Sequence, residues 1–199
     1  MNGSITLYLV IAALMVIVTA IRAANASKNS KAQKEQESYK KAELSKNAEK
    51  MENDAGAHAD ASFSSAAAVM KLEKTQGKLF CSMAGENTVL PLSDIASVEL
   101  IDHSADYRHC QEMARLHKGV ERHSLYRPYG NHSIREVKEG FRRFGTYSGQ
   151  MIYGARVRCK NGDLTDIPGY YGSGSLYWEE DKQLNLFREF LDELRKALR

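Results

Sequence analysis

The longest apolar run of the sequence lies near its start. Residues 5–21 (ITLYLVIAALMVIVTAI) contain no charged residue. As a helix rising about 1.5 Å per residue, this run and its flanks approach the ~30 Å hydrocarbon layer of a bilayer. The pattern predicts a transmembrane anchor over residues 1–23. The alternative is a secretory signal cleaved near Ala24–Ala26, which would give an exported soluble protein.

Positive charge sets the predicted orientation of this anchor. Arg22 and Lys28 follow the apolar run closely, whereas no Lys or Arg precedes it. Because positive residues stay on the cytoplasmic side, we expect the N-terminus outside and the C-terminal part in the cytoplasm. The expected location is the bacterial inner (cytoplasmic) membrane, crossed once, with the lipid bilayer as one partner. The three cysteines are odd in number and lack the spacing of a disulfide framework. This is typical of thiols in a reducing compartment.

Residues 24–76 are predicted to form a polar spacer. The segment is rich in Ala, Lys, Glu, Ser and Asn, and it has too few large apolar residues to fold alone. Its last part is more apolar, with Phe63, Ala67 and Met70 at helical spacing. We therefore expect a partly helical spacer with a helix over residues 61–74.

From residue 77 the pattern changes to that of strands. A strong hairpin signal is Asn161-Gly162, the pair that a type I′ turn requires, between segments 151–159 and 163–167. Earlier strands are predicted at 79–83, 88–92 and 97–101.

The end of the chain predicts an amphipathic helix. An apolar stripe recurs at steps of three and four, and charged residues lie between its members. The stripe consists of Leu184, Phe187, Leu191, Leu194 and Leu198. Such a stripe needs an apolar surface to pack on, and the strands provide one. The predicted fold class is α+β, a mostly antiparallel sheet closed by the C-terminal helix over residues 77–199.

This part of the chain resembles a bacterial pleckstrin-homology-like (PH-like) domain. The resemblance rests on VLPLSDIASVELI (89–101), on ARVRCKNGDLTDIPG (155–169) and on the closing helix. It implies a bent seven-stranded sheet capped by one helix and a role in membrane-proximal or protein binding. The loop 82–86 has no Lys or Arg, so phosphoinositide binding at that loop is not expected.

Charge is unevenly distributed over this domain. Segment 103–150 has nine Lys or Arg residues and five Asp or Glu residues, a net charge of 9 − 5 = +4. We interpret it as a basic insertion that contacts a protein partner or an anionic leaflet. Aromatic residues interleaved with these basic residues would also suit single-stranded nucleic acid. As a partner, nucleic acid ranks third, after a protein and the membrane surface. The candidate contact residues are Arg108, Arg115, Lys118, Arg122, Arg127, Arg142 and Arg143.

The same insertion carries the candidate metal and cysteine centre. Five of the six histidines and Cys110 lie within it, the histidines being 103, 109, 117, 123 and 132. Their gaps do not follow the spacing of zinc ligands, and nothing in the sequence identifies an activated thiolate. We therefore predict a non-enzymatic interaction module without a cofactor. An enzyme with a metal or cysteine centre in segment 103–132 is the alternative from another class.

Overall fold

The computed structural model describes residues 31–32, 35–84, 86–122, 131–172 and 181–199, except for the side chains of 120–122 and 181. The chain divides into two compact units, the first ending at Lys40 and the second running from Lys41 to Arg199. In the first unit, residues 31–32 and 35–40 are helical. All further description concerns the second unit.

Four strands form the first sheet, an antiparallel meander in the order β1-β2-β3-β4. The strands are β1 (Ala61–Ser64), β2 (Ala68–Glu73), β3 (Lys78–Met83) and β4 (Glu86–Pro91). Residues of β2 alternate between two faces, as a strand requires. Met70 and Leu72 face the main core, and Val69 and Lys71 face the other side.

Three strands form the second sheet, in the order β5-β6-β7 and again antiparallel. They are β5 (Ile95–Asp102), β6 (Met151–Cys159) and β7 (Leu164–Tyr171). Gly162 has φ +95° in the turn between β6 and β7, a conformation that glycine adopts without steric cost. The predicted hairpin at Asn161-Gly162 is therefore confirmed.

Four α-helices accompany the sheets in the described part of the second unit: α1 (residues 41–54), α2 (Ser104–Arg122), α3 (Ile134–Thr146) and α4 (Asp181–Ala197). Helix α4 is the predicted C-terminal helix, and its stripe is buried from Leu184 to Leu194. It packs on β1 and β5, which belong to different sheets. Arg195 Nε donates to Val98 O of β5 over 3.2 Å, and Arg188 pairs with Asp102 over 2.6 Å.

One main core joins both sheets and three helices. Phe187 of α4 lies edge-on to Phe63 of β1, with ring centroids 4.8 Å apart, and 5.3 Å from the ring of Tyr153 on β6. Tyr107 of α2 and Phe144 of α3 belong to the same core. Burial of several large side chains, each contributing roughly 1.5–3 kcal/mol, stabilises this arrangement.

The segment predicted as a polar spacer contributes to the domain. Leu44 and Ala48 of α1 are buried against Val69, on the face of the first sheet that points away from the main core. Glu52 pairs with Lys71 beside them. Burial opposes ionisation of Glu52, but hydrogen bonds from Lys71 and the Ala59 backbone outweigh it and lower the pKa of that carboxyl. A few apolar residues are enough because α1 packs on a sheet that is already formed.

The helix predicted over residues 61–74 is wrong. The structure has two strands there, β1 and β2, joined by a tight turn at Ser65. The Ser65 hydroxyl accepts hydrogen bonds from the backbone N–H groups of Ala67 and Ala68, which fixes the turn. Apolar residues at steps of three and four also fit a strand, a turn and a second strand, so the spacing alone did not distinguish the two structures.

The prediction of a membrane-spanning helix is also corrected. The predicted anchor at residues 1–23 and the cleavage site near residue 25 lie outside the described residues. Among the residues that are described, no helix has the length and apolar content needed to cross a bilayer. The described helices are amphipathic and carry charged faces, which a hydrocarbon layer does not accommodate. The transmembrane helix, the single-pass topology and the inner-membrane location are not retained.

Candidate functional site

The segment 103–150 is an excursion between two strands that pair with each other. Residue Asp102 at the end of β5 lies opposite Tyr153 on β6, and Leu100 lies opposite Ala155. Adjacent antiparallel strands need only a short turn between them. Instead the chain leaves the sheet, forms α2 and α3, and returns. We call α2 and α3 the helical hairpin.

The inner faces of the helical hairpin hold it on the domain. Tyr107, Cys110 and Ala114 of α2 and Phe144 of α3 are buried in the main core. The ring of Tyr107 lies 5.6 Å from that of Phe144 and 5.5 Å from that of Tyr147. These contacts fix which faces of α2 and α3 point outward.

A charged cluster ties the two helices together near the sheet. Asp106 of α2 accepts hydrogen bonds from the Arg143 guanidinium and the Tyr147 hydroxyl, both contributed by or next to α3. Burial, and then the hydrogen bond to Asp106 and its negative charge, raise the pKa of Tyr147 to about 12. Arg143, one of the predicted contact residues, is thus used within the fold.

Two histidines share one carboxylate at the start of α3. His132 Nδ1 lies 3.0 Å from Glu136 Oε1, and His109 Nε2 of α2 lies 3.8 Å from the same oxygen. The hydrogen bond with His132 lowers the pKa of Glu136, despite a small opposing effect of burial. The sequence predicted only a cluster of histidines, and the structure shows that two of them bridge α2 and α3.

A third histidine contacts α3 through its ring. The imidazole of His117 stacks on Phe141 with ring centroids 4.2 Å apart and an angle of 1° between the planes. His103 lies in the link from β5 to α2, where its backbone N–H donates to Ile152 O over 2.7 Å. His123 lies outside the described residues. The histidines therefore serve several separate contacts.

The described residues do not form a metal site, and two of the three cysteines are buried. Across the described ranges, no three or more His, Cys, Asp or Glu side chains are arranged to hold a metal ion. Cys81 and Cys110 are buried, and burial raises the pKa of both thiols, that of Cys81 to about 12. A thiol that is protonated and enclosed is a poor nucleophile.

The outer face of α2 carries three of the predicted contact residues, namely Arg108, Arg115 and Lys118, and all three are exposed. Lys118 makes no ion pair with any residue that the structure describes. The side chain of Arg122 and all of Arg127 lie outside the described part of the chain. Four of the seven predicted residues, Arg122 included, therefore lie on α2, and the side chains of three of them are described.

Arg142 of α3 is exposed but already paired. Its guanidinium donates to both carboxylate oxygens of Glu139, over 3.1 and 2.6 Å. The hydrogen bond from Arg142 lowers the pKa of Glu139, although slight burial acts in the opposite direction. An exposed pair of this kind contributes little to stability. Because Arg142 is paired, other basic residues of α3 provide the unpaired positive charge on its outer face.

Arg135 and Lys138 are the residues that the sequence reasoning missed. Both are exposed on α3, and neither forms an ion pair within the described ranges. Over Ile134–Thr146 the helix has four basic and two acidic residues, a net charge of 4 − 2 = +2. Exposed Ile134 begins the same face.

A sequence signal for α3 was present. Ser133 caps the helix by accepting from Glu136 N over 3.1 Å, and Ser-x-x-Glu before a helical segment is the capping-box pattern. Locating the start of α3 at this point would have placed Arg135 and Lys138 on its exposed side.

Comparison with known proteins gives no relative for this chain: neither a family model, a curated protein nor a solved structure matches it.

Proposed function

We propose that residues 61–199 form a PH-like interaction module that binds an acidic protein partner through the outer faces of α2 and α3. Antiparallel strands followed by a closing C-terminal helix support this proposal, and five of the seven strands, β3 to β7, lie in the part of the chain that carries the resemblance. Such a domain is a scaffold for a binding surface, and the surface itself has to be identified on the molecule.

The placement of the helical hairpin is the main support for this surface. Because β5 and β6 pair directly, the sheet would be complete with a short turn in place of segment 103–150. Long excursions that are ordered on a rigid scaffold commonly carry function. The hairpin is ordered from within by the Asp106 cluster and the Tyr107 contacts, so its outer face is presented as a fixed surface.

The charge of the outer faces indicates the partner. Lys118, Arg135 and Lys138 are exposed and have no carboxylate partner in the described part of the chain. Basic groups presented on a fixed surface attract an acidic partner and accelerate its approach, and salt weakens the attraction. An acidic segment of a protein satisfies this chemistry.

Charge reversal tests the proposal. The full chain is titrated into a fluorescein-labelled peptide of alternating Glu and Ser, and binding is followed by anisotropy. Lys118→Glu/Arg135→Glu/Lys138→Glu is expected to bind roughly tenfold more weakly or worse. The control Lys50→Glu/Arg158→Glu/Lys160→Glu makes the same change of net charge at exposed positions away from the hairpin.

Equal loss in the two triple variants would contradict the proposal, because it would show that net charge alone governs binding. Vesicles containing phosphatidylserine are the second probe. If the chain binds these vesicles through the hairpin residues but does not bind the acidic peptide, a lipid surface and not a protein is the ligand.

A further inference from the structure

A groove between β1 and α4 is a separate feature of the domain. Its volume is about 310 Å³, and one wall is the whole of β1. The other wall is the outer side of α4, including Leu186, Glu189, Phe190 and Glu193. None of these residues belongs to the helical hairpin, so the groove is independent of the proposed function.

The wall formed by β1 is an open sheet edge. Ser65 N donates to Ala68 O over 2.9 Å. This bond determines which residues of β1 direct their backbone N–H and C=O groups toward β2 and which direct them away. Ala61 and Phe63 exchange hydrogen bonds with β2, whereas the backbone groups of Ser62 and Ser64 point away from it. Among the described strands β1 pairs with β2 alone. The outward N–H and C=O groups are therefore available to an added strand.

The surface beside this edge suits an apolar side chain. Leu186 is 48% exposed although it is a large apolar residue, and Phe190 next to it is almost fully buried. Ser64 also belongs to the lining of the groove. The open edge of β1 and the apolar side chains of α4 therefore line one groove.

The charge of the groove indicates the occupant. Two residues of the lining are acidic and none is basic. Glu193 already pairs with Lys74 over 2.8 Å and with Lys196 over 2.7 Å. Glu189, one helical turn earlier, has no ion pair with any described residue. The carboxylate of Glu189 is thus open to a positive charge brought by a ligand.

Two of the other sheet edges, those of β5 and β4, are less suited to an added strand. Helix α4 covers part of the β5 edge, where Arg195 Nε donates to the carbonyl of Val98. Strand β4 ends in Pro91, which has no N–H to offer.

We infer that this groove binds an extended peptide segment of a partner protein, which adds a strand to β1 and carries an apolar residue and a Lys or Arg. The backbone of the segment pairs with Ser62 and Ser64, its apolar side chain packs on Leu186 and Phe190, and its basic side chain pairs with Glu189. Main-chain hydrogen bonds give such a complex its affinity, and the side-chain contacts give its specificity.

A charge exchange tests this site. Two labelled peptides of alternating Val and Thr, one with a central Lys and one with a central Glu, are titrated with the full chain. The Lys peptide is expected to bind at least about tenfold more tightly than the Glu peptide. In Glu189→Lys the preference reverses. Glu86→Lys, on the exposed edge strand β4, is the matched control and keeps the original preference.

A second variant tests the backbone pairing. Ser62→Pro removes an outward N–H while leaving the hydrogen bonds between β1 and β2 in place, so binding of the Lys peptide is lost and the melting temperature is nearly unchanged. No preference between the peptides, or a preference that responds to Glu86→Lys and not to Glu189→Lys, would overturn the inference. Neither result bears on the acidic partner of the hairpin.

Discussion

Gly140 of α3 lies directly against Met113 of α2. A Cβ built on Gly140 would be 2.5 Å from both the Cβ and the Cγ of Met113, much closer than two carbon atoms can approach. Met113 is fully buried and cannot move aside freely. The absence of a side chain at position 140 therefore allows the two helices of the hairpin to pack at close distance.

Gly140→Ala is expected to destabilise the protein by about 1–3 kcal/mol, because the added methyl group overpacks the contact between the helices. Urea unfolding at equilibrium measures the free energy of unfolding. Gly145→Ala is the control on the same helix, since a Cβ there meets nothing within 4 Å. The control should be neutral or stabilising by up to about 1 kcal/mol. Equal effects of the two substitutions would show that the helices are not in contact at Gly140.

The pKa of Tyr147 depends on Asp106. It is raised from 10.0 to about 12, through burial first and then through the Asp106 carboxylate. Since the folded state favours the neutral phenol, the stability that this group contributes is complete below pH 10 and is lost as the pH rises toward 12. Asp106→Asn should move the titration of Tyr147 toward 10, which NMR of ¹³C-labelled tyrosine measures. Tyr147→Phe assigns the signal, and an unchanged titration in Asp106→Asn would exclude the hydrogen bond.

Glu193 should contribute an acid-dependent part of the stability. Hydrogen bonds from Lys196 and Lys74 lower its pKa from 4.5 to about 2. The charged form is thus favoured in the folded state, and its contribution is present above pH 4.5 and is lost as the pH falls toward 2. In Glu193→Gln, unfolding free energies measured across this range should fall less steeply than in the parent chain. Parallel curves for both proteins would contradict these ion pairs.

The three cysteines should differ in reactivity. Cys81 and Cys110 are buried with raised pKa values, whereas Cys159 is partly exposed. Ellman's reagent should therefore react readily with one thiol per folded chain and with three in denaturant. Cys159→Ser should remove the fast reaction. Rapid modification of Cys110 in the folded chain would reopen the cysteine-centre alternative.

The strands from β3 to β7 and the final helix were predictable because their signals are local, whereas β1 and β2 were mistaken for a helix. Asn161-Gly162 specifies the turn between β6 and β7 through the φ of its glycine, and the stripe from Leu184 to Leu194 is regular over three turns. The helices of the hairpin were missed for the opposite reason. Cys110, Ala114 and Gly140 are buried small residues that give little contrast in hydrophobicity, and a glycine inside a helix counts against it.

The remaining errors came from tertiary context. Helix α1 has only Leu44, Ala48 and Met51 to bury, so the sequence reads as a spacer until β2 provides a surface for them. The pairing of β5 with β6 across segment 103–150 joins residues about fifty positions apart and has no local signal. For the same reason, the groove between β1 and α4 could not be located from the sequence.

Amide hydrogen exchange of the full chain, with and without the acidic peptide, tests the binding surface most directly. The account predicts that the peptide slows exchange along the α2 and α3 backbones near Lys118 and from Arg135 to Arg142, and leaves β1 and α4 unchanged. Protection confined to the sheets or to α1, with the helical hairpin unaffected, would contradict the account.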